Sequence, residues 1–223
     1  MAAFDLILFD VDGTLVDSQR TIIACMEAAF IRYDLPIPSA AAIRHTVGLA
    51  LVDGVAQLLA AMPEGAGVDP YAVAEAYKDT YLARRTATPA PAPDPLYPGT
   101  RALLDRLLAE DRLMGVATGK SNRGMRVFVE THGLHRHFVT QQTVDTAPGK
   151  PDPTMVRQAA VEAGTIPSRV LMIGDTVYDM QMARAAGAVA VGVDWGYHAP
   201  QALTAEGART ILKTWDDLAP YLT

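Results

Sequence analysis

The sequence predicts an α/β protein: a parallel sheet with helices on both faces, into which an all-helical segment is inserted after the first strand. Three observations carry that prediction. From about residue 99 onward, short apolar runs alternate with helical stretches, the pattern of repeated βα units. Between residues 17 and 88 helical signals follow one another and no convincing strand occurs. Between Thr88 and Gly99 stand Pro89, Pro91, Pro93, Pro95 and Pro98, a run that can be neither helix interior nor central strand. It reads as a stiff extended connector and marks the return from the insertion.

Taken in order, residues 4–9 are a buried strand. A helix from about Ser18 to Tyr33 follows, with Asp17 or Ser18 as its N-cap, and Pro36 and Pro38 end it. Residues 39–61 are helical in two pieces, broken near Gly48. Asp69-Pro70 opens the next helix, with Asp as cap and Pro in the first turn, and it runs to about Arg85. After the connector come a helix at 99–110, a strand at 113–117 and a helix at 121–132. A short strand at 138–141 and a helix at 153–163 follow. The strand 170–173, the helix 177–186 and the strand 189–193 come next. A helix at 200–206, a short strand at 209–212 and a final helix at 215–221 complete the chain. The first strand should join the later ones in one sheet. Residues 1–16 and 92–223 then form the core domain, and residues 17–91 the helical cap.

The chain of 223 residues, half of them hydrophobic, can build a substantial core. A net charge of −6 and a pI near 5.3 argue against nucleic acid as the main partner. The single cysteine, Cys25, excludes an intramolecular disulfide and reads as packing within a helix. No apolar run approaches the ~20 residues that span a bilayer. Acids at Asp5 and Asp10 interrupt the N-terminal apolar segment, which has no basic flank, so no signal peptide is expected and the cytoplasm is the default location. No heptad seam distinguishes a monomer from a homodimer.

The chemistry concentrates where strands end, the usual ligand position in open α/β sheets. Phe9-Asp10-Val11-Asp12-Gly13-Thr14 places two carboxylates two residues apart where a buried strand meets a glycine turn. Like charges that close are costly to bury, and a divalent cation or a divided acid/base role relieves the cost. Three further strand ends or helix entries carry polar groups. They are Thr118-Gly119-Lys120-Ser121, Gly149-Lys150-Pro151-Asp152 and Gly174-Asp175-Thr176-Val177-Tyr178-Asp179. Clustered carboxylates suit a hard cation such as Mg²⁺. A hydroxyl, an ammonium and helix N-termini suit a phosphate. Together they point to phosphoryl transfer.

The order DxDGT, T, K, GDxxxD resembles the haloacid dehalogenase superfamily, and within it the phosphoglycolate-phosphatase-like enzymes with a helical cap on a Rossmann-like core. The resemblance spans the whole chain. It implies a Mg²⁺-dependent phosphatase with Asp10 as nucleophile and Asp12 as general acid and base. It implies that Thr118, the Gly119 N–H and Lys150 hold the phosphoryl oxygens. Lys120 is a candidate phosphate contact. Mg²⁺ would be bound by Asp10 and Asp175 side chains and the Asp12 carbonyl, with Asp179 supporting. It also implies that the cap loop at Arg44-His45 faces the substrate, a small phosphorylated metabolite, with Arg44 as a contact. Family members often carry Asn where Gly119 stands, which puts one side-chain contact in question.

Other reactions on this scaffold are constrained unequally. Asp12 argues against a dehalogenase, whose leaving group needs no proton. A phosphonate-cleaving relative needs a cap lysine, and Lys78 is the only one. A phosphosugar mutase or a pyrophosphatase uses the same motifs and stays open. A silent binding protein would be expected to have lost a motif residue, and none is lost. His132, His135 and His137 could suggest a metal, but they read as the surface of a helix end capped by Gly133.

Overall fold

The computed structural model describes residues 4–89 and 91–222. Six parallel strands form one sheet in the order β3-β2-β1-β4-β5-β6. They are β1 (Leu6–Phe9), β2 (Leu113–Ala117), β3 (Thr140–Gln142), β4 (Val170–Gly174), β5 (Val189–Val193) and β6 (Ile211–Leu212). β1 is central and wholly buried. Its side chains alternate between two apolar layers, as the period of a strand requires. Ile7 and Phe9 enter one layer, with Leu103, Leu104 and Leu107 of α5 (Thr100–Ala109) and Met125 and Phe128 of α6 (Asn122–His132). Leu6 and Leu8 enter the other, with Met155 and Val156 of α7 (Thr154–Glu162) and Met180 and Met182 of α8 (Val177–Ala186). Leu203 of α9 (Pro200–Ala205) completes that second layer. Both faces of the sheet are therefore covered, which is why its central strands read as unbroken apolar runs.

Among its described residues the insertion contains helices and no strand. It comprises α1 (Gln19–Arg32), α2 (Ala40–Thr46), α3 (Leu51–Ala60) and α4 (Pro70–Thr86), with a 3₁₀ turn at Pro63–Gly65. These helices pack around a separate apolar cluster. Met26, Ala29 and Phe30 of α1 meet Val55, Leu58 and Leu59 of α3 and Val73 and Ala76 of α4. Local chemistry sets their ends: Ser39 accepts from the Ala42 N–H, and Asp69 accepts from the Tyr71 N–H beside Pro70. The chain leaves and re-enters the sheet domain through two segments that run antiparallel. Val16 bridges Leu96, the Asp17 N–H donates to the Pro95 carbonyl, and the Tyr97 N–H donates to the Leu15 carbonyl.

Some elements differ from the expectation. The third strand lies at Thr140–Gln142 rather than 138–141, and the sixth is reduced to Ile211–Leu212. Both are the outer strands of the sheet, where one-sided pairing leaves the ends loosely specified. The last segment, Trp215–Tyr221, is a 3₁₀ helix rather than an α-helix. Pro220 lacks the N–H that an α-helical turn would use. Ser18 precedes the first residue of α1, yet its side chain caps nothing; the hydroxyl is engaged at the site described next.

Candidate active site

β2 and β3 lie on one side of β1, and β4, β5 and β6 on the other. The chain therefore reverses its direction across the sheet between β1 and β4, and a crevice opens at their carboxyl ends. Phe9 is level with Val116 of β2 and Ile173 of β4. Asp10, Thr118 and Asp175 thus leave neighbouring strands at the same end of the sheet.

Asp10, Asp175 and Asp179 are buried, and one oxygen of each lies within 4.8 Å of those of the other two. Lys150, equally buried, forms ion pairs of 2.7 Å with Asp10 Oδ1 and with Asp179 Oδ1. Asp179 also builds the helix start: its Oδ2 accepts from the Thr176 N–H and hydroxyl, closing a capping box on α8. Asp175 accepts from the Thr14 hydroxyl at 2.8 Å and the Tyr197 N–H at 2.9 Å. Asp10 Oδ2 is buried with no partner.

Three carboxylates face one ammonium in a site closed to water. Burial pushes the Asp10 carboxyl up to about 7 against the pull of Lys150, with Asp179 and Asp12 adding repulsion. Burial, then Asp10 and Asp179, raise Asp175 well above the usual carboxylate range; the Tyr197 and Thr14 hydrogen bonds offset part of this. Burial opposes the charge of Lys150, but Asp10 and Asp179 outweigh it and hold the lysine above its ordinary value. With all four groups ionised the cluster carries an excess of two negative charges. One divalent cation would balance it. An all-oxygen donor set with an open carboxylate oxygen fits a hard ion such as Mg²⁺ or Ca²⁺ better than a soft one.

Asp12 stands apart from this cluster. Its side chain is turned to Ser18, whose hydroxyl donates to Oδ1, and to Lys120, whose ammonium lies 2.8 Å from Oδ2. Lys120 is raised despite burial, which opposes its charge, by Asp12 and Tyr81. Thr118 is buried, and its Oγ1 accepts from the Lys120 N–H at 3.2 Å.

The cap reaches the crevice through the loop between α2 and α3. A Cβ on Gly119 would stand 2.6 Å from the Leu49 carbonyl oxygen and 3.1 Å from that of Gly48. A Cβ on Gly149 would meet the Ala50 Cβ at 3.0 Å. Glycine at both positions lets cap backbone approach the core loops. Beside them the His45 carbonyl accepts from the Tyr178 hydroxyl and from His198 Nε2, both at 3.1 Å, and the His45 and His198 rings stack 4.7 Å apart. Because His198 Nδ1 accepts from the Val177 N–H, the ring is neutral with its proton on Nε2. Burial and His45 also hold His198 below its usual pKa.

A family model described as haloacid dehalogenase-like hydrolase matches residues 7–193. The chain belongs to the haloacid dehalogenase-like hydrolases. The hydrolase is 32% identical to "Probable phosphatase IndB" of Dickeya dadantii, over 96% of this chain and 91% of that one. It is 30% identical to a phosphoglycolate phosphatase of Pseudomonas putida, over 97% of this chain and 78% of that one. Its fold matches the haloacid dehalogenase-like protein SP0104 of Streptococcus pneumoniae with a TM-score of 0.83 at 24% identity, over 99% of each chain.

The structure brings most of the candidate residues of this hydrolase together. Asp10, Asp175, Asp179 and Lys150 form one cluster, and Asp12 and Lys120 form a pair beside it. Gly119 touches the cap loop, and the Thr118 hydroxyl accepts from the Lys120 N–H. Arg44 is on the last turn of α2, half-buried, and makes no ion pair or side-chain hydrogen bond among the described residues. The histidine segment is not a surface throughout. His137 is buried, with Nε2 2.8 Å from Asp105, because Phe138 carries the chain into the core there. His135 is exposed, and no metal-holding group including these histidines is found among the described residues.

Sequence reasoning did not reach the loop after β5, although it too leaves the carboxyl end of a parallel strand. Gly196 and Tyr197 embrace Asp175, and a Cβ on Gly196 would stand 2.1 Å from the Asp175 Cβ. The signal was the strand end itself, followed by Asp194-Trp195-Gly196-Tyr197. Gly13, with φ +85°, is needed for a similar reason: a Cβ there would fall 2.2 Å from Asp175 Oδ2.

Proposed function

We propose that this hydrolase removes phosphate from a small phosphomonoester with the help of Mg²⁺, through a phosphorylated Asp10. The carrying observation is the buried Asp10, anchored by Lys150 through one oxygen and open at the other. Asp12, two residues on, is held by a separate set of partners. Two carboxylates in different surroundings divide nucleophile from acid/base.

In the first step an Asp10 oxygen attacks phosphorus, the ester P–O bond breaks, and Asp12 gives its proton to the leaving oxygen. In the second, water attacks phosphorus and yields its proton to Asp12. The bond to Asp10 breaks, and phosphate and the free carboxylate are restored. Lys150, Thr118 and the Gly119 N–H stabilise the charge on the transferring oxygens. Asp10, Asp175 and the Asp12 carbonyl would hold Mg²⁺, which neutralises phosphoryl charge, while Asp179 orients Lys150. Thr14 and Tyr197 keep Asp175 aimed at the site.

We assign residues 17–91 to the cap and residues 1–16 and 92–223 to the core. The cap loop excludes bulk water during turnover, and Arg44 contacts the substrate when it does. The ion-paired, exposed Lys78 gives no support to Schiff-base chemistry in the cap. Among the described residues no helix is long and apolar enough to cross a membrane. With its lone buried cysteine, the protein fits the cytoplasm.

Hydrolysis of p-nitrophenyl phosphate by wild type and Asp10→Asn, with and without Mg²⁺, tests this reading. Activity is expected only in wild type with metal; equal rates in both proteins would refute the nucleophile. A panel led by phosphoglycolate identifies the substrate. Isomerisation of hexose phosphates without phosphate release would instead mark a mutase.

A further inference from the structure

A cavity of about 300 Å³ lies at the hinge between cap and core. Its walls come from the start of α1, the last turns of α4, the proline connector and one face of α6. It begins at Ser18 and Lys120, the two groups that grip Asp12. Those two groups set it next to Asp12, which in the reading above gives its proton to the leaving oxygen.

Its charge is unequal. Arg84 and Arg85 of α4 line it, and neither has a salt-bridge partner among the described residues. The Arg84 Nε is buried and unpartnered. An unpartnered guanidinium N–H in a sheltered wall is costly unless a ligand takes it. The cavity's one carboxylate of its own, Asp94, is already engaged by the Thr21 hydroxyl at 2.6 Å, and Lys120 is balanced by Asp12. Two guanidiniums against one occupied carboxylate leave a net positive wall.

We infer that this hinge cavity receives the leaving group of the substrate, and that Arg84, with Arg85 beside it, recognises a second anionic group carried there, a carboxylate or a phosphate. The inference rests on the phosphatase reading and adds to it a substrate class and two specificity residues. The pairing is geometrically suited to an oxyanion, which takes two N–H donors from a guanidinium fork. A cavity of this size has room for a short leaving group.

The test measures kcat/KM with Mg²⁺ for three esters: ethyl phosphate, 2-phosphoglycolate and a sugar bisphosphate. Wild type should favour one or both of the doubly anionic esters over ethyl phosphate, and which one wins tells carboxylate from phosphate. In Arg84→Met that preference ratio should fall about 10–100-fold, the worth of a charge-assisted hydrogen bond, and Arg84→Lys should restore part of it. Arg85→Met should lower it less. Equal effects of Arg84→Met on all three esters would overturn the inference. So would a wild-type preference for ethyl phosphate, which needs no variant to fold. If wild type hydrolyses none of the esters and no p-nitrophenyl phosphate, the phosphatase reading itself fails. If it hydrolyses them without charge preference, only the hinge-cavity inference fails.

Discussion

Removing the Lys150 ammonium is the sharpest perturbation of the site. Lys150, Asp10 and Asp179 have side chains at most 2% exposed, and the lysine spans both acids at 2.7 Å. In Lys150→Met the methylene stem is largely kept and the charge is lost. Asp10 and Asp179 then face each other and Asp175 with no cation. Stripping one partner from a buried pair costs about 3–5 kcal/mol, because the charge left behind is uncompensated. For a protein of this length that is a fall in Tm of about 6–20 °C. The loss should depend on pH. At pH 5 protonation of Asp10, whose carboxyl burial pushes up to about 7, relieves the repulsion, so the deficit should shrink; at pH 8 it should be largest. Chemical denaturation of both proteins without divalent metal, at pH 5 and pH 8, measures it. A deficit under about 1 kcal/mol at pH 8, within the range of exposed pairs, would refute the charge balance described for this site. So would a deficit that grows toward pH 5.

Other consequences follow from the same geometry. In the metal-free protein, Asp10 has a folded pKa of about 7 against an ordinary 3.8. A raised acid favours the protonated folded state, so its contribution is present below about 4 and is lost as pH rises through 7. Added Mg²⁺ should therefore raise Tm more at pH 8 than at pH 5, and differential scanning fluorimetry would show it. Asp175→Asn should abolish most of that Mg²⁺-dependent rise, and an unchanged metal response would remove Asp175 from the binding set. Gly119→Asn puts a Cβ 2.6 Å from the Leu49 carbonyl. The cap loop should then fail to seat, costing about 1–3 kcal/mol of closure; limited proteolysis near Gly48 should quicken and kcat/KM should drop.

The sheet was legible because its strands are buried on both faces. Runs such as Leu6-Ile7-Leu8-Phe9 and Val170-Leu171-Met172-Ile173 carry their identity in composition alone. The cap was legible through its caps and prolines, Asp69-Pro70 above all. The outer strands were placed less well, since Thr140–Gln142 has no apolar residue and pairs on one side only. At the site, motif spacing pointed to the residues that carry charge, but not to those that orient them. Ser18 looked like a helix cap and is instead the donor to Asp12. Tyr197 and Gly196 surround Asp175 from the loop after β5, which lies outside the four motif segments. Gly119 illustrates the remaining gap. Its meaning is set by the cap backbone at Leu49, distant in sequence, and only the folded chain brings the two together.

The central claim is that Asp10 carries the phosphoryl group. Its most direct test is the mass of the protein quenched in acid during turnover of a phosphomonoester with Mg²⁺, followed by mapping of the labelled peptide. The account predicts a single phosphoryl adduct on the peptide that contains Asp10, absent from Asp10→Asn. Turnover without any adduct on that peptide, or with the adduct on another residue, would contradict it.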